Sequence, residues 1–277
     1  MRILYLLPTI DLSLPSIFAQ PETPVSEWRD KTILVIGAHP DDDSHAHGTL
    51  ALLQGNGNEV WTVILTTGNV GTLDPKLSRF DLARIRRQEQ IDAMAELGIP
   101  ADHYINLGYD DGLIEFESRK EIVARLVRLI RRIRPDVLFA FDPGRAYQRW
   151  HKSDHRTAAY LAADAARAAM WRLLFEGQVI HEGLKEFQIP EYMFFDSVQK
   201  DINTFVDISS TLDQKINAHL QYASQFSSGW SDYKGPEIPP EESRGIAERR
   251  RQRVMQRDGK PVEGFRHYKG LPDGIGR

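Results

Sequence analysis

Three short apolar runs, Thr32–Gly37 (TILVIG), Glu59–Thr66 (EVWTVILT) and Val137–Phe141 (VLFAF), constrain this chain most, because each is too short for a core helix and too continuously apolar for a half-wet strand. Such runs belong to strands covered on both faces, which occur in parallel sheets crossed by helices. Helical segments lie between them. Residues 48–54 read as a short helix, and 81–97 carry apolar residues at Leu82, Ile85, Ala93, Met94 and Leu97 before Gly98 and Pro100 end the run. Ser118 with Glu121 forms a capping box for a helix to Arg134, with Ile122, Leu126, Leu129, Ile130 and Ile133 on one side and Pro135 as its stop. The expectation is an α/β fold that opens with a right-handed β-α-β unit. Residues 104–107, 192–196 and 205–208 read as further strands, 154–175 as an alanine-rich helix, and 210–225 as a helix opened by Ser210 and Asp213. Beyond Gln225, residues 229–242 read as a loop, about 240–257 as a highly charged helix, and the remainder as irregular.

The chain has 277 residues and no cysteine, which excludes disulfides, thiolate metal centres and a thiol nucleophile. With 35 Lys+Arg against 39 Asp+Glu, the net charge is −4 and the mean surface carries no footprint for nucleic acid. Arginine is dense in 118–134 and 241–257, where the favoured reading is a solvated helix face rather than an RNA or phosphate partner. The opening twenty residues contain an apolar run broken by Pro8, Asp11 and Pro15, so no transmembrane segment is expected. A packed N-terminal arm is favoured over a poor secretion signal, and with it a cytoplasmic location. A homo-oligomer is left open.

The strongest local feature is His39-Pro40-Asp41-Asp42-Asp43, directly after the first buried strand, where open α/β sheets place their active sites. Three adjacent carboxylates repel one another unless a cation or hydrogen-bond donors offset them. A divalent metal does both, with His39 as a nitrogen ligand, one carboxylate as an oxygen ligand and a third ligand from elsewhere. His151-Lys152-Ser153-Asp154-His155 follows the strand Val137–Phe141 and offers that third ligand, leaving the second histidine for substrate. His45 and His47 read as lining or structural. Thr66 to Asn69, Asp110 to Gly112, Asp142 and Arg145 come from the same rim and could hydrogen-bond a polyol, with Tyr147 and Trp150 as aromatic neighbours in sequence. Arg86 and Glu89 lie one helical turn apart, so they either pair within the helix or point into the pocket.

The segment Val35–Thr49 (VIGAHPDDDSHAHGT) resembles the Ala-His-Pro-Asp-Asp-Glu signature of the LmbE-like, or PIG-L-like, zinc-dependent de-N-acetylases. Thr66-Thr67-Gly68 with Gly71, Arg86 to Glu89, Leu97-Gly98, Asp111-Gly112, His151 to His155, Val206 to Ile208, Lys215 and Ser224-Gln225 follow in the family's order. The resemblance implies a Rossmann-like three-layer sandwich, with a mostly parallel central sheet and helices on both faces. The catalytic domain would occupy 31–226, between an N-terminal extension (1–30) and a C-terminal loop and helical extension (227–277) packed on it. It also implies one Zn2+ per chain on His39, Asp42 and His155, with Asp41 as the base activating the water at the metal. His151 would stand beside the carbonyl, with Asp154 orienting or tuning it; the rim position, rather than the resemblance, makes Asn69, Arg86, Asp111 and Arg145 the candidate substrate contacts. The implied activity is hydrolysis of the acetamide of an N-acetylglucosamine-type amino sugar or glycoconjugate to amine and acetate. Rival readings are an inactive sugar- or nucleotide-binding module, weakened by the absence of a G-x-G-x-x-G turn, and a metal-dependent hydrolase of another bond. This chain departs from the family at Asp43, where Glu is usual, at Lys152-Ser153, in place of proline and its neighbour, and at Tyr222, often His.

Overall fold

The computed structural model describes residues 23–144 and 153–270. Its strands are β1 (Thr32–Gly37), β2 (Glu59–Thr66), β3 (Tyr104–Tyr109), β4 (Val137–Phe141), β5 (Glu191–Phe195), β6 (Thr204–Asp207), β7 (Gln256–Arg257) and β8 (Lys260–Lys269). The helices are α1 (His47–Gly55), α2 (Arg79–Glu96), α3 (Arg119–Ile133), α4 (Ser153–Ala169), α5 (Glu176–Ile180), α6 (Leu212–Leu220), α7 (Ala223–Phe226) and α8 (Pro240–Arg253). Among the described residues, no helix is long and apolar enough to cross a membrane.

The sheet runs β3-β2-β1-β4-β5-β8-β6, with β7 forming a hairpin with β8. Strands β1 to β5 are parallel, and β8 runs antiparallel to both β5 and β6. β1 and β4, in the middle, are buried along nearly their whole length, which accounts for their unbroken apolar sequences. Helices α3 and α4 pack together, while α6 packs against α1, α2 and α8, giving two helical layers about the sheet. The chain leaves β1 toward β2 and later returns to β4 on its other side. That reversal opens a crevice at the carboxyl ends of these strands, the usual ligand position in an open α/β sheet.

Several boundaries differ from the sequence reading. α2 starts earlier, because Ser78 and Asp81 form a reciprocal capping box. α4 stops at Ala169, and the buried guanidinium of Arg131 collects the carbonyls of Ala169, Trp171 and Leu174 beyond it. Helix 210–225 is two helices, α6 and α7, broken at Gln221-Tyr222, and its N-cap is Thr211, which makes no side-chain cap. The largest difference is at the end of the chain. Residues expected to be irregular form β8, ten residues long and inserted between β5 and β6. Glu263 on this strand accepts hydrogen bonds from Gly48 N (2.9 Å) and Thr49 N (2.7 Å), placing its charge at the start of α1, where the helix dipole favours it. Lys215 of α6 completes the lock, donating to Glu263 Oε1 at 2.7 Å and to Ser44 O at 2.6 Å.

Candidate metal centre and active-site cavity

β1 ends at Gly37, where an added Cβ would stand 3.0 Å from Asp42 Cβ and 2.9 Å from Ile64 Cδ1; only glycine lets the following turn fold back this closely. Within that turn Asp42 Oδ2 accepts from Ala38 N and His39 N, both at 2.7 Å. Asp41 sits at φ 115°, ψ −15°, a region costly for a non-glycine residue by roughly 1–3 kcal/mol. Strain at this position is held by contacts from α2: Asp41 N donates to Gln90 Oε1 at 2.9 Å, and Arg86 Nη2 donates to Asp41 Oδ2 at 2.8 Å.

Asp42 lies between two imidazoles, with His39 Nδ1 3.5 Å from its Oδ2 and His155 Nε2 3.3 Å from its Oδ1. His155 is stacked on Phe141 of β4, with centroids 4.3 Å apart. Donor atoms of His39, Asp42 and His155 lie within 4.8 Å of one another, and two imidazoles with one carboxylate form a donor set suited to a divalent cation such as zinc. His39 also belongs to a second cluster with Asp111 and Asp154. The ring geometry separates the two roles. The Nδ1 edge faces Asp42, while Nε2 lies 3.0 Å from Asp111 Oδ1 and 3.3 Å from Asp154 Oδ2, the carboxylate–histidine arrangement that orients a metal-binding imidazole. Asp154 is itself fixed by Gly112 N at 2.6 Å.

Electrostatics follow from this crowding. Burial opposes protonation of His39, but Asp42, Asp111 and Asp154 outweigh it and hold its pKa well above the usual value. Asp42 is also buried, yet His155 and His39 hold it well below the carboxylate range. For Asp41, burial dominates, Arg86 opposes it and Asp42 adds to it, so the carboxyl is raised to about 6.

The other expected site residues occupy distinct places. Arg86, 3% exposed, does not pair with Glu89; besides Asp41 it reaches Pro40 O, and it lies against Gly68, where a Cβ would come within 2.6 Å of Nη1. Asn69 bridges two loops, donating to Asp110 Oδ1 at 2.7 Å and accepting from Asp111 N at 3.1 Å. Arg145, Tyr147, Trp150 and His151 lie outside the described residues. Asp43 is fully buried, accepts from Gln90 Nε2 at 2.8 Å and is reached by Tyr222 Oη at 3.5 Å. His47 Nε2 stands 3.3 Å from Asp43 Oδ1 without hydrogen-bonding alignment. The two departures at Asp43 and Tyr222 therefore meet in one cluster, a long phenol reaching a short carboxylate.

Gln90 and Ser224 were not singled out as site residues. Gln90 shares the α2 face of Arg86 and Glu89 at the i, i+3, i+4 spacing, which is the signal that could have found it. Glu89 accepts from Ser224 N and Oγ, both at 2.7 Å, tying α7 to α2. His39, Asp41, Asp42, Arg86, Asp111 and His155 border one cavity of about 690 Å³, whereas Glu89, Gln90 and Ser224 stand behind its lining. Its lining runs from His39, Asp41, Asp42 and His155, past His45 and Phe195, to Lys215, His219, Phe226 and Trp230, and on to Arg250, Arg253 and Met255.

Comparison with known proteins agrees with this geometry. Residues 34–166 match the family described as GlcNAc-PI de-N-acetylase, PIG-L. The chain is 32% identical over 197 residues to a diacetylchitobiose deacetylase of Thermococcus kodakarensis, covering 71% of this chain and 70% of that one. It is 34% identical over 180 residues to a 1D-myo-inositol 2-acetamido-2-deoxy-alpha-D-glucopyranoside deacetylase of Streptomyces scabiei, spanning only about half of each protein (55% of both). Among solved structures, the N,N'-diacetylchitobiose deacetylase of Pyrococcus horikoshii superimposes with a TM-score of 0.73 at 27% identity, over 87% of this chain and 85% of that one. With residues 34–166 matched by the family model and 70% of the Thermococcus kodakarensis deacetylase covered at 32% identity, the chain belongs to the PIG-L family of de-N-acetylases.

Proposed function

We propose that this protein is a zinc-dependent deacetylase that hydrolyses the acetamide of an N-acetylglucosamine-type sugar or glycoconjugate to free amine and acetate. The observation that carries this reading is the position of Asp41, a strained, half-buried carboxyl beside the His39, Asp42 and His155 donors on one cavity. A cation held by those three residues supplies a Lewis acid that polarises the amide carbonyl and acidifies water. Arg86 occupies Asp41 Oδ2, which leaves Oδ1 to take the proton of the attacking water. The oxygen adds to the amide carbon, the C–N bond breaks, and the proton held on Asp41 passes to the departing nitrogen, giving amine and acetate. A carboxyl raised to about 6 suits both halves of that proton transfer near neutrality.

Asp111 and Asp154 orient His39, and His151 is assigned to the carbonyl as a hydrogen-bond donor. Asn69 and Arg145 are assigned to the sugar. Residues 31–226 together with β8 form the catalytic unit in this reading, with Trp230 and the end of α8 closing one side of the cavity.

The test is acetate release by zinc-loaded protein from N,N'-diacetylchitobiose and simple N-acetylglucosamine glycosides, with metal content measured alongside. Chelation should abolish release and zinc should restore it. Asp41→Asn should keep about one zinc per chain while losing roughly 10²- to 10⁴-fold in rate. Release that survives verified metal removal, or a near-wild-type Asp41→Asn enzyme, would overturn the proposal.

A further inference from the structure

The arginine run at the end of α8 resolves into two groups. Arg251 pairs with Asp213 on α6 at 2.7 Å. Arg250 and Arg253, one turn apart on the same face, line the cavity that holds the His39, Asp42 and His155 donors. Cations in the last turn of a helix complement its dipole, which explains positive charge here but not why these two border the cavity. Arg250 is half-buried, its guanidinium stacked over Phe226 with Cζ 4.5 Å from the ring centroid, and no carboxylate lies within ion-pair distance of it among the described residues. Burial, with Arg253 and Arg249 adding to it and Asp41 opposing it, lowers its pKa from the usual value. Other cations bordering the cavity are already matched: Arg86 with Asp41 and Lys215 with Glu263.

We infer that Arg250 and Arg253 form a subsite for an anionic oxyacid group, phosphate or carboxylate, carried on the aglycone side of the amino-sugar substrate. The inference rests on the deacetylase reading only for the identity of the sugar. Guanidinium forks match such groups through paired N–H donors, and stacking on Phe226 pre-orients one fork. The cation donors and the arginine pair border the same cavity of about 690 Å³, which has room for a sugar and a substituent. In a hexosamine the C1 substituent neighbours the C2 acetamide, so an anion carried on the aglycone stays within the same cavity as an acetamide at the cation donors. α8 lies outside residues 34–166, the stretch matched by the family model.

The experiment is calorimetric binding to the zinc-loaded full chain, with acetate release measured in parallel. The probes are methyl N-acetylglucosaminide, N-acetylglucosamine 1-phosphate and an N-acetylglucosaminyl glucuronide, the last two separating phosphate from carboxylate. At least one charged probe should bind about tenfold or more tightly than the neutral one at low salt. That charged-to-neutral ratio should fall toward one in Arg250→Gln/Arg253→Gln, and partly in Arg253→Gln, whose side chain is exposed and holds no part of the core. Using the ratio within each variant cancels any general damage to the fold. A ratio of one in the wild type, or a ratio preserved in the double variant because the anion sits on the metal, overturns the inference. Charge-selective binding without acetate release would instead sink the deacetylase reading and leave the subsite standing, whereas acetate release with a ratio of one would do the reverse.

Discussion

His219 shows how one residue near the cavity ties stability to pH. It is 6% exposed and stacked on Phe226 with centroids 3.9 Å apart, and its Nε2 has no hydrogen-bond partner. Burial, reinforced by Arg250, His47 and Lys215, lowers its pKa to about 2. An unfolded chain protonates this imidazole near the ordinary value of about 6.5. Between those values the unfolded state therefore binds a proton that the folded state refuses, so stability falls as pH falls. The loss is at most about 1.4 kcal/mol for each pH unit below about 6.5. His219→Phe should remove this slope, so that the gap between variant and wild type in urea unfolding shifts in the variant's favour from pH 7.5 to 5.5. Parallel pH curves for the two proteins would reject the assignment. At the same scale, His39, Asp41, Asp42 and His155 were legible in the sequence because their chemistry is unusual: adjacent carboxylates after a buried strand demand a compensating charge. Gln90 was not, and Ser224 and Tyr222 were visible only as places in the family pattern, since nothing in a glutamine, a serine or a tyrosine marks which carboxylate it will hold.

Among the elements, α3 separates two kinds of arginine that look alike in sequence. Arg128 and Arg132 lie on the outside and share Glu182. Arg131 is 2% exposed and donates to Ala169 O, Trp171 O, Leu174 O and Gln178 Oε1, holding the turn between α4 and α5. Charge density along α3 reads as a solvated face, and for Arg128 and Arg132 it is one; Arg131 differs because it meets carbonyls supplied some forty residues later in the chain. Arg131→Ala should strand those carbonyls and cost about 3 kcal/mol or more, measured as a drop in unfolding free energy. Arg132→Ala should cost under about 1 kcal/mol, as expected for an exposed ion pair. Equal losses in the two variants would contradict the buried role.

At the scale of the whole molecule, β8 joins the C-terminal region to the catalytic sheet. It pairs with β5 through 191–194 and with β6 through 204–207, while its Glu263 caps α1 and anchors Lys215. Ending the chain at Met255 removes a strand flanked on both sides, leaves the ladders of β5 and β6 open and strips α1 of its capping carboxylate. The truncated chain should fail to unfold cooperatively and should aggregate through the exposed edges. A soluble truncated chain with a native near-ultraviolet spectrum and a sharp melt would show that β8 is peripheral.

The sequence alone determined the parallel half of the sheet and the place of the site. Both rest on local signals: unbroken apolar runs mark strands buried on two faces, and the turn after β1 carries its own imidazole and adjacent carboxylates. Only the tertiary structure decided the other half. Lys260–Lys269 (KPVEGFRHYK) mixes charge, proline and glycine, and becomes a strand because β5 and β6 present unpaired edges on either side of it. The same holds for Arg250 and Arg253, where helical charge is local, but the cavity they border is assembled from strands and helices far away in the chain. Periodicity is written into neighbouring residues, whereas a pairing partner or a shared cavity exists only once distant segments meet.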